Sequence, residues 1–184
     1  SYPIILAGEM ISFEGATDEL HTFAAATGAG VVSSYRQQDI FPNHHEAYFG
    51  QLTLDRIPYL EDAWNQCDLV INIGCRLDSV TSADHTLIRE NQRMIMAYPD
   101  ANVFSQWQVD VGMCANAKAA MESIINALSD FKPPIERLKW RKETHAKEIH
   151  FAQPGEIKIT GTVDLAQIIT EFQKLVPADA IISS

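Results

Sequence analysis

The sequence predicts an α/β protein built on a Rossmann-like, doubly wound parallel sheet of about six strands flanked by helices. Short, wholly apolar runs read as strands buried on both faces, and stretches of helical period alternate with them. Size agrees: 184 residues, 46% of them hydrophobic, make one globular domain that buries roughly 70% of its unfolded surface without needing a covalent staple.

The first strand is the run Tyr2-Pro3-Ile4-Ile5-Leu6-Ala7, which stops at Gly8. A helix over residues 16–27 follows, because Leu20, Phe23, Ala24 and Thr27 recur at helical spacing. Gly28 is its C-cap, and Val31-Val32 opens a second short strand running toward Arg36, which completes one βαβ unit. Pro42, Asn43 and Gly50 mark a loop; Ile57, Leu60, Ala63 and Trp64 line one face of the next helix. The run Leu69-Val70-Ile71-Asn72-Ile73, ending at Gly74, is a further buried strand, and Met94-Ile95-Met96-Ala97 another. Val109-Asp110-Val111 leads into an alanine-rich helix from Asn116 to about Leu128.

From Asp130 the character changes. Pro133-Pro134 breaks the chain, and the charged stretch 139–147, with Trp140 as its anchor, reads as a helical peripheral connector whose alternating charges face solvent. Pro154-Gly155 is another break, residues 163–175 form a last amphipathic helix, and Ala180-Ile181-Ile182 looks like a strand cut short. The expected organisation is a sheet domain over 1–130 and a helical linker over 131–184.

Fourteen basic against 24 acidic residues give a net charge of -10, which opposes attraction to nucleic-acid phosphates or anionic lipid and argues against both as partners. Cys67, Cys75 and Cys114 are an odd number without CxxC spacing, so reduced and mostly buried thiols are expected. No basic leader and no apolar run of membrane-spanning length is present, and the expected compartment is the cytoplasm.

Several segments, taken in order, resemble the central domain of thiamine-diphosphate enzymes of the acetolactate synthase and 2-oxo acid decarboxylase kind. They are Pro3 to Gly8 with Glu19-Leu20 and Phe23-Ala24; Thr27-Gly28-Ala29; Phe41-Pro42 and His44 ahead of Tyr48-Phe49-Gly50; Cys67 through Asp78; Arg93 to Ala101; and Val109-Asp110-Val111 with Ala115-Asn116-Ala117-Lys118. The resemblance implies a DHS-like NAD/FAD-binding fold and a longer parent enzyme that acts on 2-oxo acids as decarboxylase or carboligase. Thiamine diphosphate serves the parent as electron sink, with magnesium. It also implies that the cofactor's activating glutamate and its Gly-Asp-Gly motif lie in domains this sequence does not contain. The chain would then be a non-catalytic spacer that supports a homo-oligomer, its partners being the N- and C-terminal domains of the same polypeptide. The tail from Leu138 resembles the linker into the third domain, and Pro177 to Ile182 that domain's opening.

Members of this family hold FAD, ADP or no nucleotide in the central domain. Gly8, Gly74 and Arg76, with Asp78 beside them, match positions that serve a nucleotide where one binds: glycine turns let backbone amides approach phosphate, and arginine adds a bidentate fork. Departures favour an empty site over FAD or ADP. Glu9 and Met10 follow Gly8 where glycine is usual, and Gly50-Gln51-Leu52-Thr53 lacks a second glycine. Tyr98 and Asn116 stand near positions where aspartates are usual. A free-standing FAD- or ADP-binding module is the alternative reading.

Plainer roles apply elsewhere. Arg76 and Asp78 could equally form a local ion pair. His44-His45-Glu46 point apart in an extended loop and suit structural or solvated roles rather than a metal. His21, His85, His145 and His150 read as surface residues, Cys75 as a small buried hydrophobe, and Trp64 and Trp140 as packing anchors.

Overall fold

The computed structural model describes residues 1–55, 57–153, 155, 161–177 and 180. Two compact units divide it, Ser1–Ile149 and His150–Ser184. In the first, six parallel strands form one sheet: β1 (Pro3–Ala7), β2 (Gly30–Ser33), β3 (Tyr48–Gln51), β4 (Leu69–Ile73), β5 (Arg93–Tyr98) and β6 (Val111–Cys114). Their spatial order is β3-β2-β1-β4-β5-β6, with every neighbouring pair parallel. Chain direction across the sheet reverses between β1 and β4. That is the switch point outside whose carboxyl ends sheets of this kind place ligands.

Alternation along the central strands divides the core. Ile5, Ala7, Ile71 and Ile73 face α1 (Glu9–Phe13), α2 (Thr17–Thr27) and α4 (Ala117–Ala127), where Leu20, Phe23, Ile11 and Met121 are fully buried. Ile4, Leu6, Val70, Met94 and Met96 face the other way, onto Leu60 and Trp64 of α3 (Pro58–Gln66), Val103 of the 3-10 turn Ala101–Gln106, and Trp140 of α5 (Ile135–Ala152). Strands so enclosed have no polar face, which is why they read as unbroken apolar runs. The four residues spaced along α2, Leu20, Phe23, Ala24 and Thr27, are its buried set, and Gly28 ends it in the left-handed conformation.

Six strands match the expected number, but the membership differs. Tyr48–Gln51 is a strand where a loop was expected: it pairs with β2 through an irregular register, and four residues containing Gly50 carry no legible period. The strand expected at Ala180-Ile181-Ile182 falls largely outside the described residues. The crossover from β4 to β5, residues 74–92, contains no helix.

The charges of α5 divide between two faces: Glu136, Lys139, Lys142, Glu143 and Lys147 are exposed, as expected, whereas two arginines turn inward. Arg137, Trp140, Arg141 and Thr144 are buried. Arg137 donates from Nη1 to the Thr27 carbonyl at 2.6 Å and from Nε to the Ser1 carbonyl at 3.1 Å. Arg141 pairs with Glu46, and Trp140 meets the Phe49 ring edge-on, centroids 5.0 Å apart. His145, expected at the surface, is tucked in with Nδ1 2.8 Å from the Tyr48 carbonyl. The reason is the length of these side chains: aliphatic stems cover apolar surface while their polar ends reach backbone acceptors. The first compact unit accordingly takes in most of α5, to Ile149.

In the second unit, α6 (Leu165–Leu175) is capped by Asp164, which accepts from the amides of Ala166 and Gln167 at 2.9 and 3.2 Å. Leu165, Ile168, Ile169, Phe172 and Leu175 on this helix are exposed.

Candidate functional site

The carboxyl ends of β1 and β4 bring the sequence-predicted residues together. Gly8 follows β1 directly and Gly74 follows β4; both are buried, and Arg76 and Asp78 lie exposed on the next turn. The Gly8 amide donates to the Ile73 carbonyl and the Met10 amide to that of Gly74, each at 3.0 Å. Gly74 donates in turn to Ala97 at 2.9 Å. Buried Asn72 clamps the turn that follows, accepting from the Cys75 amide at 3.2 Å and donating to the Cys75 carbonyl at 3.0 Å. The two glycine turns are thus hydrogen-bonded to each other.

They are also in contact. A Cβ placed on Gly8 would lie 2.3 Å from Cys75 Cα and 2.5 Å from the Gly74 carbonyl oxygen. Gly74 has φ +65°, and a Cβ there would lie 2.7 Å from that of Met10. Glycine is required at both places by close approach of the chain to itself, with left-handed backbone as an added reason at Gly74.

Two carboxylates occupy the surrounding helix starts. Glu9 is the first residue of α1 and accepts from the Tyr98 hydroxyl at 3.1 Å. Burial raises the pKa of Tyr98, the charge of Glu9 raises it further, and Arg76 opposes them. Glu14 accepts from the Lys118 amide at 3.2 Å, in the first turn of α4, where Asn116 makes no side-chain cap. Tyr98 was placed at this edge by the sequence, but not its bond to Glu9; Glu14 was not legible as part of it, because it acts on a helix distant in sequence.

Arg76 and Asp78 form no ion pair. Asp78 Oδ1 instead accepts from the Thr81 amide at 2.8 Å and its carbonyl from the Ser82 hydroxyl at 2.6 Å, pinning the start of the helix-free crossover. Cys75 is 1% exposed, and burial pushes its thiol up to about 12, so it behaves as a buried apolar group with no base to activate it. His45 accepts from the Ala47 amide at 3.1 Å and packs edge-on against Phe41 and His21. Among the described residues no group of three or more His, Cys, Asp or Glu converges as metal ligands.

A small cleft of about 60 Å³ opens beyond the ends of β3 and β4, lined by Leu52, Ile57, Leu60, Trp64, Val80 and Leu87, with Asp55, Glu61 and Arg89 also on its wall. Among the described residues its lining has no histidine, cysteine or lysine. The crossover that forms one side holds Ala83, Asp84 and His85 in consecutive left-handed conformations.

The sheet order, the switch point and the glycine turns define a Rossmann-like, doubly wound α/β domain. The sequence profile of the thiamine pyrophosphate enzyme central domain matches residues 1–124, and the chain belongs to that family. Similar proteins include sulfoacetaldehyde acetyltransferase of Castellaniella defragrans, 24% identical over 207 aligned positions, covering all of this chain and 35% of the relative. The acetolactate synthase large subunit of Corynebacterium glutamicum is 25% identical, over 84% of this chain and 26% of its own length. The chain therefore spans about a third or less of the curated relatives it matches. A solved structure from Mycobacterium smegmatis, assigned as a thiamin diphosphate-dependent enzyme, shares the fold with a TM-score of 0.59 at 23% identity, covering 74% of this chain and 26% of that one. No helix among the described residues is long and apolar enough to cross a membrane.

Proposed function

We propose that this chain is the middle domain of a cytoplasmic, homo-oligomeric thiamine-diphosphate enzyme that decarboxylates or condenses 2-oxo acids. In this reading it spaces two catalytic domains and performs no chemistry itself. The observation that carries the proposal is the family match over two-thirds of a chain that accounts for only 35% of its relative's length. Thiamine diphosphate with magnesium, held by the other domains, supplies the electron sink for loss of carbon dioxide. The residues of this chain contribute rigidity: a sheet buried on both faces and a connector helix fixed to it by Arg137, Trp140 and Arg141. The apolar side chains exposed on α6 support a further segment of the same polypeptide as partner, since an unburied stripe of that width is costly in water.

The test is to assay the intact protein and the chain Ser1–Ser184 side by side for carbon dioxide release from a panel of 2-oxo acids, with thiamine diphosphate and magnesium. Turnover is expected in the intact protein and none in the isolated chain. Turnover proportional to the isolated chain, or none in the intact protein across the panel, refutes the proposal.

A further inference from the structure

We propose that the crevice at the carboxyl ends of β1 and β4 is a self-filled joint, closed to nucleotides, in which Glu9 and Glu14 take the places that phosphate groups hold in sheets of this strand order.

Three independent observations converge on it. The first is steric. Gly8 and Gly74 lack side chains, but the space that this frees is occupied by Cys75 and Met10, with separations of 2.3 and 2.7 Å to the notional Cβ atoms. A dinucleotide's diphosphate needs that space open, because its oxygens must reach backbone amides.

The second is the hydrogen-bond inventory. The amides of Gly8, Met10, Gly74 and Cys75 already donate to Ile73, Gly74, Ala97 and Asn72, so these four are not free for a phosphate. Redirecting them would leave those acceptors, among them the buried Asn72 oxygen, without a donor.

The third is electrostatic. A helix start attracts negative charge, and phosphate binding exploits this. Here α1 begins with Glu9, and the first turn of α4 is capped from a distance by Glu14. Both carboxylates belong to the segment that follows β1, so one stretch of chain provides the resident anions for both helix ends. An incoming diphosphate would meet the Glu9 carboxylate, itself held in place by Tyr98, and like charges repel at such range. Arg76 is exposed beside them, but a lone guanidinium without a cradle does not fix a phosphate.

The inference does not depend on which reaction the parent performs, because its readout is binding rather than turnover. FAD and ADP, each to about 1 mM, are titrated separately into the intact protein by calorimetry and by thermal shift; a ligand that binds only the folded state must raise the melting temperature. The wild type is expected to show no saturable binding and no shift. Glu9→Gln and Glu14→Gln are each expected to lower the melting temperature without creating affinity. Binding tighter than about 0.1 mM, weakened tenfold or more by Arg76→Ala, overturns the proposal. Should Arg76→Ala fail to fold, Arg76→Lys serves instead, since it removes the bidentate fork while keeping the charge. Binding that neither Arg76 substitution nor Glu9→Gln alters lies outside the crevice, and the joint stands as described.

Discussion

Gly8→Ala tests the closed joint through stability alone. The added methyl carbon would lie 2.3 Å from Cys75 Cα, 2.4 Å from Cys75 Cβ and 2.5 Å from the Gly74 oxygen, where carbon atoms settle at about 3.5–4.0 Å. Two of those three atoms are backbone, so no rotamer change relieves the clash and the ends of β1 and β4 must part. Parting costs about 1–3 kcal/mol as overpacking. It also strains two hydrogen bonds, Gly8 to Ile73 and Met10 to Gly74, at roughly 1 kcal/mol each. The sum is about 3–5 kcal/mol, a large part of a domain's stability, and lowers the melting temperature by roughly 6–20 °C for a chain of this size. Urea and thermal unfolding of wild type and variant measure it. Gly112→Ala is the control: its Cβ would be 3.5 Å from the Phe104 ring, ordinary contact, and a neutral or slightly stabilising effect is expected. A loss below about 1 kcal/mol for Gly8→Ala would mean that the turns separate freely, and would refute the packing argument.

Two half-buried groups set opposite pH trends. His45 is held below its usual value of 6.5 by burial first, then by the charges of His21, Arg141 and His145, with Glu46 opposing. The unfolded chain therefore takes the proton first, and this contribution to stability, complete above 6.5, is lost as pH falls through the depressed value. Glu148 is held above its usual 4.5 by burial, with His145 and His44 opposing. Its contribution is complete below 4.5 and lost as pH rises through the raised value. His45→Gln should flatten the acid limb of a pH–stability curve and Glu148→Gln should raise stability at neutral pH; the reverse pattern in urea titrations would contradict both. Glu46→Gln, which leaves the buried Arg141 guanidinium without its carboxylate, should cost roughly 1–2 kcal/mol, discounted because Glu46 is half exposed. In native protein iodoacetamide should label exposed Cys114 well before Cys67 and Cys75, whose thiols burial pushes up to about 12; peptide mass spectrometry gives the order.

The sheet was legible where burial is two-sided. Runs such as Ile4-Ile5-Leu6 and Val70-Ile71 admit few other readings, and the helical spacing in α2 named its buried residues one by one. Legibility failed where a few long-range contacts decide the outcome. Strand β3 is fixed by β2 and the Phe49 ring rather than by its own pattern, and the buried face of α5 is written in arginine, histidine and glutamate, which a solvation argument assigns outward. At the crevice, Gly8 and Gly74 were recognisable as special, and Glu9 and Met10 as obstacles. That the two turns fill each other, and that Glu14 caps a helix more than a hundred residues away, are facts of packing that no local motif encodes.

The docking of α5 also has a consequence for synthesis. Phe49 leaves the ribosome roughly 90 residues ahead of Trp140, the ring that covers it, and at 5–20 residues per second the interval is roughly 5–20 s. Through that interval the nascent sheet has a bare aromatic flank, and the carbonyls of Ser1 and Thr27 wait for Arg137. The connector is therefore the last piece of the first unit to be made and the one that closes it, so a polypeptide halted before Arg137 would present chaperones with a complete strand set and an unfinished side.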